Sequence, residues 1–100
     1  MKYLGKISGS GTIKGPGVEN ACATYEFEGF SRKTGHMSGS GEITLAPLAL
    51  RSLFGRSGVQ LHTDSGRVFT LKFSDKELSA SNCANVEIIG GLPVERNWRH

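Results

Sequence analysis

The stretch Ile7-Ser8-Gly9-Ser10-Gly11-Thr12-Ile13 decides the fold, and its pattern Ser-Gly-Ser-Gly-x-Ile returns at Ser38 to Ile43, directly after Met37. Side chains alternate between the two faces of a strand, so the glycines and the isoleucine of each copy share a face with the preceding apolar residue. Glycines on an inner face let a neighbouring backbone or a large ring come close, and they let a sheet coil sharply. The two copies therefore predict strands of a small, closed or nearly closed antiparallel β-barrel.

Alternation of apolar and polar residues extends this prediction to six strands, at 2–14, 21–31, 37–45, 59–63, 67–73 and 84–89. In the first strand it places Tyr3 on the inner face and Leu4 on the outer face. The loop Asp64-Ser65-Gly66 suits a type I turn followed by a bulge, which joins two strands as a hairpin. Ser74 to Glu77 has the form of a capping box and predicts a single helical turn.

Residues 46–55 break the alternation and predict one short helix, which begins near Pro47 and ends with a glycine. Its apolar stripe consists of Leu50, Leu53 and Phe54. An isolated helix of this length is unstable in water, so the stripe must lie on an apolar surface. We expect the helix to cover an open end of the barrel.

The order of elements, three strands followed by a helix and further strands, resembles that of the OB-fold. The resemblance is one of element order, and a sixth strand is added. A six-stranded barrel or a β-sandwich fits the same pattern. We expect one domain over residues 1–93 and a C-terminal tail over residues 94–100.

Composition points to a soluble, intracellular protein. The 100 residues include twelve Lys and Arg and nine Asp and Glu, spread along the chain, which leaves a formal charge of +3. The first residues contain no apolar run typical of a signal peptide, and no stretch approaches the ~20 apolar residues of a membrane span. Cys22 and Cys83 form no close pair, which suits a reducing compartment, although a disulfide stays possible if their strands are neighbours. The expected location is the cytoplasm, with no membrane partner.

Patterns that would carry catalysis, a cofactor or a metal are weak. The glycine strings have neither the third glycine of a dinucleotide fingerprint nor the lysine of a phosphate-binding loop. His36 and His62 would need both cysteines to converge on them to form a four-ligand zinc site. Glu26 and Glu28 stand about 7 Å apart on one strand face, a position that is usually solvated. We expect no enzymatic activity, no cofactor and no metal.

Basic residues, together with one aromatic residue, are the remaining candidates for binding. They are Arg32, Lys33, Arg51, Arg56, Arg96, Trp98 and Arg99. As a rim they would suit a protein partner or self-association, since Trp and Arg are frequent at interfaces. They would also suit single-stranded nucleic acid on an OB-like barrel face. Alternatively, the arginines serve solubility and Trp98 packs against the barrel.

The leading hypothesis from the sequence is a small, non-catalytic binding or accessory domain that acts through protein–protein interaction. Binding of single-stranded nucleic acid is the first alternative. The second is a small ligand or a metal ion inside the barrel, although barrels of this size usually fill their interior with side chains.

Overall fold

The computed structural model describes residues 2–33, 36–78 and 80–92, which contain six strands and one helix. These are β1 (Lys2–Lys14), β2 (Ala21–Ser31), β3 (Met37–Leu45), α1 (Pro47–Leu53), β4 (Val59–Thr63), β5 (Val68–Phe73) and β6 (Cys83–Gly90). The strands form a closed antiparallel barrel in the order β1-β2-β3-β6-β5-β4, and β4 pairs with β1. The predicted small all-β barrel is confirmed, and the molecule is not a two-layer sandwich.

Gly11 and Gly41, one from each Ser-Gly-Ser-Gly string, lie where backbones crowd together. A methyl group on Gly41 would overlap the carbonyl oxygen of Glu26 and lie 2.8 Å from the Cα of Phe27. A methyl group on Gly11 would overlap the carbonyl oxygen of His62, in the strand that closes the barrel. No side chain separates the neighbouring strands at these two positions, an arrangement that allows the sheet to bend tightly as the barrel closes.

Side chains fill the interior of the barrel. Phe27 and Phe69 are fully buried, with ring centroids 5.5 Å apart and planes at 90°. Tyr25 lies 5.0 Å from the first of these rings and 6.2 Å from the second. Its ring also lies over its cross-strand partner Gly9, where a methyl group would sit 3.0 Å from the tyrosine hydroxyl. Edge-to-face aromatic contacts and apolar side chains therefore occupy the space that an internal ligand would need.

Helix α1 covers one end of the barrel, as its apolar stripe predicts. Pro47 occupies the first turn, and Leu50 and Leu53 are buried in the core. Phe54 follows the last helical residue, and its amide donates to the carbonyl of Leu50 at 2.8 Å. Gly55 then takes a φ of +80°, so that the chain turns toward β4. This arrangement leaves the Phe54 ring at the edge of the covered end, half-buried.

The predicted hairpin between β4 and β5 is confirmed. The amide of Thr63 donates to the carbonyl of Arg67 at 2.8 Å, and the amide of Gly66 donates to the carbonyl of Thr63 at 3.0 Å. Gly66 has a φ of +93°, which a residue with a side chain rarely adopts. Strand β5 starts at Val68, one residue later than predicted.

At the start of β1 the predicted alternation is wrong. Leu4 is 1% exposed, whereas Tyr3 is 45% exposed. The register with β2 shifts between Tyr3 and Gly5, and the φ of Gly5 is +136°. A β-bulge therefore inserts one residue and exchanges the two faces of the strand.

Ser74 to Glu77 does not form the predicted helical turn. The amide of Ser74 donates to the carbonyl of Asn85 in β6 at 3.0 Å. In return, the Asp75 carboxylate accepts the backbone amide of Asn85 at 3.0 Å and its side-chain amide at 3.3 Å. Pairing with β6 thus takes the Ser74 amide, which the capping box would have bonded to the Glu77 side chain.

Candidate functional site

Four of the predicted binding cations lie at two opposite ends of the barrel. Arg32 and Lys33 follow β2 at the end where β2 and β3 are joined, and both are exposed. Arg51 and Arg56 are exposed at the end that α1 covers. The eleven residues of β2 separate the two pairs by roughly 30 Å of strand. These four residues therefore do not form one rim.

The other predicted binding residues, Arg96, Trp98 and Arg99, lie outside the described residues, as does the tail over residues 94–100. Their part in binding stays a prediction.

The outer face of β2, β3 and β6 carries four exposed glutamates, Glu26, Glu28, Glu42 and Glu87, which we call the acidic face. Glu26 and Glu42 are direct cross-strand partners, an arrangement in which like charges repel each other. Lys6 offsets part of this charge, since its Nζ lies 2.9 Å from Glu26 Oε1. The hydrogen bond that Lys6 donates to Glu26, together with the negative charge of Glu26, raises the pKa of Lys6 above the ordinary lysine value. The acidic face would repel the phosphates of a nucleic acid.

The cysteines and histidines do not converge. Cys22 in β2 and Cys83 in β6 lie in strands that β3 separates, and both thiols are free. His62 in β4 has Nε2 3.3 Å from Gln60 Oε1, a contact within its own strand. Among residues 2–33, 36–78 and 80–92, no group of three or more His, Cys, Asp and Glu side chains is placed to hold a metal ion.

An apolar depression of about 310 Å³ lies between the end of α1 and the outer surface of β5 and β6. Phe54 and Phe73 form one wall, with ring centroids 5.1 Å apart and planes at 60°. Ile89 forms part of another, and 60% of its surface is exposed to solvent. Both rings are half-buried, so the depression offers aromatic and aliphatic surface to a partner.

Three cations line the same depression, Arg56, Lys72 and Lys76, and we call the whole feature the basic groove. Asp75 is the carboxylate among its lining residues, and it is held by Asn85. Within the described part of the chain, no carboxylate lies within 4 Å of the Lys72 or Lys76 ammonium group. The groove therefore combines exposed apolar surface with positive charge that no internal ion pair uses.

Sequence reasoning missed this groove, although it identified Arg56 as a binding residue. Phe54 belongs to the predicted apolar stripe of the helix, and alternation in β5 assigns Phe73, like Phe69 and Leu71, to the inner face, so both rings are expected to point into the core. Alternation in β6 assigns Ile88 to the inside and Ile89 to the outside, so an apolar residue falls on an otherwise polar face. That break in the pattern was the available signal.

No helix in the described ranges is both long and apolar enough to cross a lipid bilayer. Comparison of the chain with protein-family models finds no match, and comparisons with curated proteins and with solved structures find no significant match. The function of the basic groove therefore rests on its own geometry and charge.

Proposed function

We propose that this chain is a small, non-catalytic accessory domain that acts through protein–protein interaction, with the basic groove as its contact surface. The observation that carries the proposal is the position of Ile89, 60% exposed beside the half-buried Phe54 and Phe73 rings and bordered by cations. Interfaces combine a core of aromatic and aliphatic side chains with a polar rim, and their strongest contacts involve aromatic rings and arginine. The groove has this composition on a rigid barrel.

The polar groups of the groove support binding better than catalysis. The Asp75 carboxylate accepts hydrogen bonds from the backbone and side-chain amides of Asn85, so it is committed to holding the chain against β6. Ser57 also lines the groove, but a serine nucleophile needs a base within hydrogen-bond reach. The described residues that line the groove include no histidine to serve as that base.

The cytoplasm remains the proposed location. The two free thiols support it, because a reducing compartment keeps cysteines in this state. Cys22 is exposed, so an oxidising compartment would expose it to pairing with other thiols.

Selection of displayed peptides tests the proposal. Random short peptides on phage would be selected on the immobilised chain and then tested on the same chain with Ile89→Ser. We expect enriched peptides that bind the wild-type chain and lose binding to the variant, because serine removes the exposed apolar surface of the groove. A half-exposed position tolerates this change, and equal thermal melts of the two chains would verify it. A selection that yields no binders, or binders that hold both chains equally, would contradict the proposal.

Binding of single-stranded nucleic acid is the second candidate, and one observation favours it. Single-stranded nucleic acids bind where bases can stack on aromatic rings and phosphates can contact cations, and the groove has both in Phe54, Phe73 and its three cations. The OB-like order of elements is consistent with it. The acidic face limits such a site to the groove itself. Fluorescence anisotropy with labelled oligothymidine at low salt should then show binding that weakens steeply as salt rises, and a flat titration would dismiss it.

A further inference from the structure

The apolar part of the basic groove is small, so it admits a few side chains and not a flat protein surface. Its volume of about 310 Å³ lies near the lower limit of pockets that bind small ligands. The Phe54 and Phe73 rings meet at 60°, so their faces and edges are both available to an inserted side chain. A ring or a branched aliphatic chain would fit between them and Ile89, making edge-to-face or aliphatic contacts.

The net charge around this apolar slot, which lies between Phe54, Phe73 and Ile89, is positive. Three cations and one carboxylate line the groove, which gives a local charge of +2 (three minus one). Glu87 is the cross-strand partner of Lys72, yet their charged groups are more than 4 Å apart. The ammonium groups of Lys72 and Lys76 are exposed and can turn toward a ligand.

Arg56, an exposed residue at the border of the groove, donates to two backbone carbonyl groups. Its Nε donates to the carbonyl of Ser52 at 2.6 Å, and its Nη1 donates to the carbonyl of Pro16 at 3.5 Å. A guanidinium group has five N–H donors, so these two bonds leave further donors for a carboxylate. The Arg56 side chain therefore loses little additional freedom when it binds an acid.

Resting on the proposed function, we infer that the partner is a short acidic segment of a protein, with an aromatic or branched aliphatic residue in the slot and Asp or Glu on either side of it. Charge complementarity selects this occupant, because three cations and one carboxylate line the groove, and among the described residues none of these cations has a carboxylate within 4 Å. Carboxylates of the partner at the rim of the groove would raise the association rate and the specificity, while the apolar anchor would supply most of the affinity.

The test measures affinity for synthetic peptides that share one apolar anchor and differ in charge. Fluorescence anisotropy would compare acidic, neutral and basic versions on the wild-type chain, on Lys72→Glu/Lys76→Glu, and on Arg32→Glu/Lys33→Glu as the control of equal charge change at the opposite end of the barrel. We expect the acidic peptide to bind the wild-type chain most tightly. Its affinity for Lys72→Glu/Lys76→Glu should be about tenfold or more lower, since two exposed ion pairs are replaced by two repulsive pairs. The control should stay within about twofold of wild type, because Arg32 and Lys33 lie more than a Debye length from the groove. Affinity for the wild-type chain should also fall as salt rises, a readout that needs no variant.

Other outcomes separate the two proposals. Peptides that lose binding to Ile89→Ser but bind equally well whatever their charge would overturn the acidic partner and leave the groove as a contact surface. Absence of binding by every peptide would overturn both. Tighter binding of oligothymidine than of the acidic peptide, or a stable dimer that buries the groove in sedimentation experiments, would also overturn the acidic segment as its occupant.

Discussion

Gly41→Ala is expected to destabilise the barrel by about 3 kcal/mol, at the upper end of what overpacking costs. The added methyl group would overlap the carbonyl oxygen of Glu26 and lie 2.8 Å from the Cα of Phe27. Both are backbone atoms of the neighbouring strand, so no rotation of a side chain relieves the overlap. The strands β2 and β3 would have to separate where the sheet bends.

Urea denaturation measures this effect, and Gly90→Ala is its matched control. Gly90 also lies in a strand, but a methyl group there would sit 3.4 Å from atoms of the Thr70 side chain, an ordinary contact. We expect this control to change the free energy of unfolding by about 0.5 kcal/mol or less, with alanine reducing the freedom of the unfolded chain. Equal free energies of unfolding for the two variants would show that the barrel does not require the close approach of β2 and β3 at Gly41.

Phe69→Ala is expected to cost about 3–5 kcal/mol, the range for deleting a buried aromatic ring. Phe69 is fully buried and meets Phe27 edge to face at 5.5 Å and Tyr25 at 6.2 Å. Its removal leaves a cavity inside a closed barrel, whose strands cannot collapse inward without breaking cross-strand pairs. A domain of this size has about 5–15 kcal/mol of stability in total, so the variant should unfold at a much lower temperature.

Val68→Ala is the control for this second prediction, since the adjacent residue in β5 points outward and is 42% exposed. Its loss should cost about 1 kcal/mol or less, the span of strand propensity. Calorimetry of both variants compares the two faces of one strand. Similar losses at Phe69 and Val68 would mean that β5 does not have one face in the core.

Local patterns predicted the strands because the alternation of apolar and polar residues within each strand indicates which of its faces is buried. The bounds of β1, β2 and β3 agree with those read from the period of two, and Pro47 marks the first turn of α1. The prediction is wrong where a longer-range interaction intervenes. The bulge beside Gly5 exchanges the faces of Tyr3 and Leu4, and β6 takes the polar groups near Ser74.

The candidate site was less predictable, because it depends on which strands become neighbours. Arg32 and Arg51 are both exposed cations, yet the length of β2 keeps them at opposite ends. Phe54 and Phe73 meet only because the β4–β5 hairpin brings the end of β5 back to the start of β4, beside the end of α1. The alternation of residues and the composition do not predict that these two rings come into contact. Ile89, an apolar residue on an outer strand face, was the one sequence signal for an exposed apolar surface there.

Closure of the barrel by β1 and β4 is the claim on which the groove depends, and nuclear Overhauser effects between Hα protons test it most directly. The amide of Asp64 donates to the carbonyl of Ser10 at 2.9 Å, so the alternation of an antiparallel ladder makes Gly11/Thr63 and Ile13/Leu61 non-hydrogen-bonded pairs. The Cα atoms of such pairs lie about 4.5 Å apart, close enough for strong Hα–Hα effects. We predict these effects for both pairs. Strong effects between β1 and β2 with none between β1 and β4 would reveal an open sheet and contradict the account.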